Sequence, residues 1–164
     1  MGRPRSIEPR RVGSPRIFVS FDQEHDDDLL ARIRAEAEEP ESGFAIVARS
    51  GPLTMEDPWE ERQRRRIAEA ELVVVICGEH TDACRRVAAE LRMAQEEGTP
   101  YLLLWGRRAG MCKLPSTADK SDGMYSWTPE ILRDRIRATL RDAHDAEVTA
   151  RHAAALAAAK GERG

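Results

Sequence analysis

The run LVVVIC at Leu72–Cys77 constrains this chain more than any other stretch, being apolar at every position and rich in β-branched side chains. A strand with no polar face has to be covered on both sides, and helices packed on the two faces of a parallel sheet do that. Three more segments have strand character: RIFVSF at 16–21, GFAIVARS at 43–50 and PYLLLWG at 100–106. The stretches between them read as helices. DQEHDDDLLARIRAEAEE sets Leu29, Leu30 and Ile33 on one stripe, behind aspartates that suit a helix start. DPWEERQRRRIAEA opens with Asp57 as cap and Pro58 at the first helical position. GEHTD turns into a third helix starting near Asp82. Arg107 to Trp127 reads as a long irregular loop, and Thr128 caps a last helix whose Leu132, Ile136 and Leu140 face the core. The alternation predicts an α/β fold of flavodoxin-like order, a parallel sheet with helices on both faces.

Residues 1–15 form a Pro- and Arg-rich basic arm expected to be disordered, residues 16–142 the domain, and residues 143–164 an Ala-rich helical or disordered tail with no site on it. A net charge of −3 offers no basic field for nucleic acid. No apolar run approaches the roughly 20 residues that cross a bilayer, so no membrane partner is expected. The N-terminus lacks the apolar core of a signal peptide, and three cysteines cannot all pair, which together suit the cytoplasm. Cys77, His80 and Cys84 form a C-x2-H-x3-C run without a fourth ligand nearby, so no metal is expected.

Common nucleotide and hydrolase signatures are absent. No G-x-G-x-x-G follows the first strand, and neither G-x4-G-K-[ST] nor G-x-S-x-G occurs. A phospho-receiver would want an aspartate at the end of the third strand, where Cys77-Gly78-Glu79 stands. In sheets of this kind ligands bind beyond the carboxyl ends of the strands. Those ends are Phe21-Asp22, Arg49-Ser50, Gly78-Glu79-His80 and Trp105-Gly106.

Helical periodicity puts Cys84, Val87, Ala88, Leu91 and Gln95 on the apolar face of the third helix and Glu90 at its rim, beside Ala83 and Ala94. Spacing leaves two readings of Glu90. It is either a solvated charge paired with Arg86 one turn earlier, or a carboxylate looking into a cleft.

RIFVSFDQEHDDDLL, the long segment DPWEERQRRRIAEAELVVVICGEHTDACRRVAAELRMAQEEGTPYLLLWG and MYSWTPEIL resemble the TIR-like (Toll/interleukin-1 receptor-like) domain family of the bacterial Thoeris antiphage defence system. The similarity spans roughly residues 16–141, with CGEHT and AAELRMAQEEG its most specific parts. It implies a flavodoxin-like TIR fold and cleavage of the nicotinamide–ribose bond of NAD, with release of a cyclic ADP-ribose-type signal that activates an effector. NAD is then substrate, and no cofactor is implied. Contacts of the TIR type imply a homo-oligomer. The rival reading is a non-catalytic interaction or nucleotide-binding module acting by homotypic assembly. The family's catalytic glutamate matches Glu90, its first-strand loop matches Phe21 and Asp22, and its loop after the second strand matches Arg49 to Met55. The family's tryptophan before the glutamate has no counterpart here, where Arg86 and Val87 stand.

One carboxylate suffices for that chemistry. The nicotinamide ring of NAD is cationic and leaves neutral, so its departure needs no general acid, unlike an ordinary glycoside. What remains is stabilisation of an oxocarbenium-like ribose. Phe21 is expected to pack on a flat ring, Asp22 and Ser50 to hydrogen-bond ribose or phosphate, Arg49 to offset pyrophosphate charge, and His80 to touch the ligand from its strand-end loop.

Overall fold

A computed structural model describes residues 13–51, 58–108 and 110–161. One parallel sheet runs in the order β2-β1-β3-β4-β5, formed by β1 (Arg16–Ser20), β2 (Ala45–Arg49), β3 (Leu72–Cys77), β4 (Tyr101–Trp105) and β5 (Met124–Tyr125). This is the flavodoxin-like order, with β3 at the centre and all six of its residues buried. Burying each Val, Leu or Ile side chain contributes about 1.5–3 kcal/mol, which is why LVVVIC occupies the position covered on both faces.

Strand parity divides the core. Ile17, Val19, Val74, Ile76, Leu102 and Leu104 face α1 (Asp27–Glu38) and α4 (Pro129–Gly161), which contribute Leu29, Leu30, Ile33, Leu132 and Ile136. Phe18, Val73, Val75 and Leu103 face α2 (Trp59–Glu69) and α3 (Arg85–Glu97), which contribute Trp59, Ile67, Val87, Leu91, Met93 and Ala94. Val47 is an extra residue in β2: Ile46 pairs with Ile17 and Ala48 with Phe18, so the edge strand carries a bulge there. A bulge of this kind discourages a second strand from adding at an open sheet edge.

The structure moves several expected boundaries. The segment between Arg107 and Trp127 is not wholly irregular, since Met124 and Tyr125 pair with Leu103 and Leu104. Two residues with no alternating pattern gave no strand signal. The third helix starts at Arg85, after a 3₁₀ turn at Thr81–Ala83, because the Thr81 hydroxyl accepts the Gly78 N–H at 2.7 Å and tightens the turn. Gly98, at φ +70°, closes α3 in the left-handed conformation. Asp57 lies outside the described residues, and Pro58 stands at the cap of α2, with Trp59 as the first helical residue. Helix α4 is continuous to Gly161 and is exposed at every position from His144.

Candidate functional site

The carboxyl ends of β1 and β2 converge on one side chain of α3. Ser20 ends β1 two residues after Phe18, and Ser50 follows β2 two residues after Ala48, so the period of two turns both hydroxyls towards the α2–α3 layer. Gln63 interrupts the apolar stripe Trp59–Gln63–Ile67 of α2, and Glu90 lies on the buried face of α3 with Val87, Leu91 and Ala94. Glu90 is fully buried, and it accepts hydrogen bonds from Ser20 Oγ at 2.9 Å, Ser50 Oγ at 2.5 Å and Gln63 Nε2 at 2.7 Å.

Two expectations about α3 are thereby corrected. Glu90 is not at the rim: Gln95 and Ala83 are exposed, so the buried face is rotated towards residues 87, 90, 91 and 94. Nor does Arg86 pair with Glu90. Its guanidinium donates to Gln23 Oε1 at 3.3 Å, and the Gln23 amide in turn donates to the Ser50 carbonyl at 2.5 Å.

Burial pushes the Glu90 carboxyl up to about 7, against the three hydrogen bonds and the nearby Arg86 charge, all of which favour the anion. A carboxyl held by neutral donors, with its ionisation brought near neutrality, is suited to stabilising transient positive charge or to exchanging a proton.

The other expected site residues divide into two groups. Asp22 is 4 % exposed and accepts from Glu24 N–H at 3.0 Å and His25 Nδ1 at 2.7 Å. The His80 ring stacks on His25 with centroids 4.0 Å apart. Asp22, His25, His80, Cys84 and Arg86 line a cleft of about 290 Å³ at the ends of β1 and β3. The Asp22 hydrogen bond holds the His25 imidazole above its ordinary range. Phe21 and Arg49 point elsewhere. The Phe21 ring belongs to the α1–α4 side of the core, and only its backbone N–H joins the network, donating to Ser50 Oγ at 3.0 Å. Arg49 lines a separate groove along β2 with Arg34 and Glu38. Positions 52–55 of the expected loop lie outside the described residues.

Sequence reasoning missed Ser20, Gln63, Gln23 and His25. The parity of RIFVS marks Ser20 as an inward polar residue, and Gln63 is the one polar side chain on its helix stripe. Gln23 gives no comparable signal.

A second buried carboxylate lies at the same end of the sheet. Asp26 is 2 % exposed, and its Oδ1 accepts from Arg107 at 3.0 Å, while Arg107 also grips Asp28 at 2.7 Å. Among the described residues, no group of three or more His, Cys, Asp or Glu side chains is arranged to hold a metal, and no helix is long and apolar enough to cross a membrane.

The family model for "Thoeris protein ThsB, TIR-like domain" matches residues 18–109, more than half of the chain and the stretch that holds Ser20, Ser50, Gln63 and Glu90. No curated protein matches. Among solved structures, the crystal structure of a prokaryotic SEFIR domain aligns at 21% identity and a TM-score of 0.46, covering 78% of this chain and 91% of that one.

Proposed function

The chain belongs to the Thoeris ThsB TIR-like domain family, and we propose that it cleaves the nicotinamide–ribose bond of NAD to make a cyclic ADP-ribose-type signal in antiviral defence. The observation that carries this reading is the Glu90 carboxyl, fully buried at the strand ends and held by three neutral donors without an ion-pair partner among the described residues. Burying such a group costs stability, and apolar side chains of similar volume fill such a position as well or better. A carboxyl buried there despite that cost supports a role in chemistry.

In the proposed reaction Glu90 stabilises the oxocarbenium-like ribose as neutral nicotinamide departs. Asp22 and His80 meet the nucleotide from the adjoining cleft, with Ser50 holding Glu90 in place. The Phe21 amide and the Arg49 carbonyl contribute through the backbone. The Gln23 bonds to Ser50 and Arg86 are the contacts that give way as substrate reaches Glu90. A site dry enough to bury Glu90 favours capture of the cation by an atom of the same nucleotide over water, which yields a cyclic product. The product then acts on a separate effector in the cytoplasm, and the enzyme works as a homo-oligomer.

The second reading, a non-catalytic module acting by homotypic assembly, draws on the same burial. A carboxyl with no exposed atom does no chemistry on an external molecule while its surroundings stay closed. Purified protein incubated with NAD at high concentration with a crowding agent, beside Glu90→Gln, decides between them. Nicotinamide released by the wild type alone supports catalysis at Glu90, and the mass of the second product separates cyclisation from hydrolysis. Equal release by both proteins removes Glu90 from the mechanism, and no release by either favours the assembly module.

A further inference from the structure

The two oxygens of Glu90 are not equivalent. Oε1 takes both serine hydroxyls, at 2.9 Å from Ser20 and 2.5 Å from Ser50, which fills its two lone-pair sites. Among the described residues Oε2 takes one bond only, from Gln63 Nε2 at 2.7 Å, which leaves its second lone-pair site without a partner among them. Gln63 is 1 % exposed, and its amide is held in one orientation. Arg66 Nη1 donates to Gln63 Oε1 at 3.2 Å, while Nε2 also reaches the Arg49 carbonyl at 3.4 Å. Turned over, the amide would set its oxygen against Oε2 and its NH2 against a guanidinium. Space for it is kept by Gly51, where a Cβ would stand 3.2 Å from Gln63 Oε1.

We propose that Gln63 is a positioning residue that orients the Glu90 carboxylate and turns Oε2 towards substrate, with Arg66 fixing the amide that does so. This rests on the reading of Glu90 as catalytic. Among the described residues, the groups that bear on Glu90 are Ser20 from β1, Ser50 just after β2, Gln63 from α2, Arg86 on α3 itself and the half-buried thiol of Cys84 at its cap. Of these donors, only Gln63 serves Oε2.

The test follows the Glu90 carboxyl by carbon NMR through a pH titration of the full chain, alongside the pH profile of nicotinamide release. Gln63→Leu should raise the Glu90 midpoint by about one pH unit, the worth of a hydrogen bond to a charged group. The activity profile should move to higher pH by the same amount, with kcat lowered and KM little changed. Arg66→Ala, at an exposed position that leaves folding intact, should shift the midpoint the same way by less, and it carries the test if Gln63→Leu does not fold. Midpoints equal to wild type in both variants overturn the proposal. A shifted midpoint in a protein that releases no nicotinamide upholds the hold of Gln63 on Glu90 and removes the NAD reaction instead.

Discussion

Glu90 and Asp26 are both buried carboxyls at the carboxyl end of one sheet, and they are held in opposite ways. Glu90 has three neutral donors and no ion pair among the described residues. Asp26 has a guanidinium on one oxygen and, among the described residues, no partner on the other. Asp26 Oδ2 instead packs against Gly78, occupying space that a Cβ there would need. Burial raises both carboxyls, but at Asp26 the Arg107 charge opposes the shift, and the same Arg107 holds the exposed Asp28 below its usual range. An ion pair latches two loops together, while neutral donors hold geometry and leave the charge adjustable. The first arrangement suits architecture and the second suits chemistry.

The largest effect should fall on activity. Glu90→Gln should lower nicotinamide release about a hundred- to a thousandfold, as expected when a preorganised group facing developing charge is removed, whereas Asp26→Asn should leave kcat within a few fold in the same assay. The second effect concerns stability and pH. The folded value of Glu90, about 7, lies above its ordinary 4.5, so the native state binds more protons between those values and stability falls as pH rises through that window. The contribution is about 3 kcal/mol. Glu90→Gln should therefore melt above wild type at pH 8, with the gap closing towards pH 5 in calorimetry. Arg107→Ala strands the Asp26 carboxyl and should cost about 1–3 kcal/mol at pH 7, the penalty of a buried acceptor left without its partner. Denaturant titration should show the loss shrinking in acid as Asp26 takes up a proton, and Asp26→Asn in the same chain should recover part of it. The smallest is Gly78→Ala, whose Cβ would sit 2.2 Å from Asp26 Oδ2. It should destabilise by ~1–2 kcal/mol, and Asp26→Ala should relieve it.

The fold was legible because its signals are local. RIFVS, AIVAR, LVVVIC and YLLLW each fall within a segment read as a strand. Met124–Tyr125 was missed because two residues carry no period and become a strand only by lying beside β4. The site was legible in part. Glu90 and Ser50 do meet, yet Glu90 was placed at the rim because the face was drawn through Cys84, Val87, Ala88, Leu91 and Gln95, of which only Val87 and Leu91 are buried. A carboxylate is counted as polar by any periodicity argument, so a buried one displaces the inferred face. Phe21 was expected to line the ligand, but its parity with Val19 puts it on the opposite side of the sheet. Gln63 and Ser20 matter only through contacts 27 and 70 residues away in sequence, which no local pattern reports.

Helix α4 has a consequence of its own for anyone who melts this protein. Its 33 residues extend about 50 Å, and beyond His144 every described side chain is exposed. That half is held by alanine propensity and by local pairs such as Glu147 with Arg151, so it unwinds gradually. All three tryptophans, Trp59, Trp105 and Trp127, report instead on the packed body, which unfolds as a unit. Far-ultraviolet circular dichroism and tryptophan emission will therefore trace different curves on heating. The offset between them measures a helix loosening ahead of the domain, and only the fluorescence midpoint reports the stability of the body that carries Glu90.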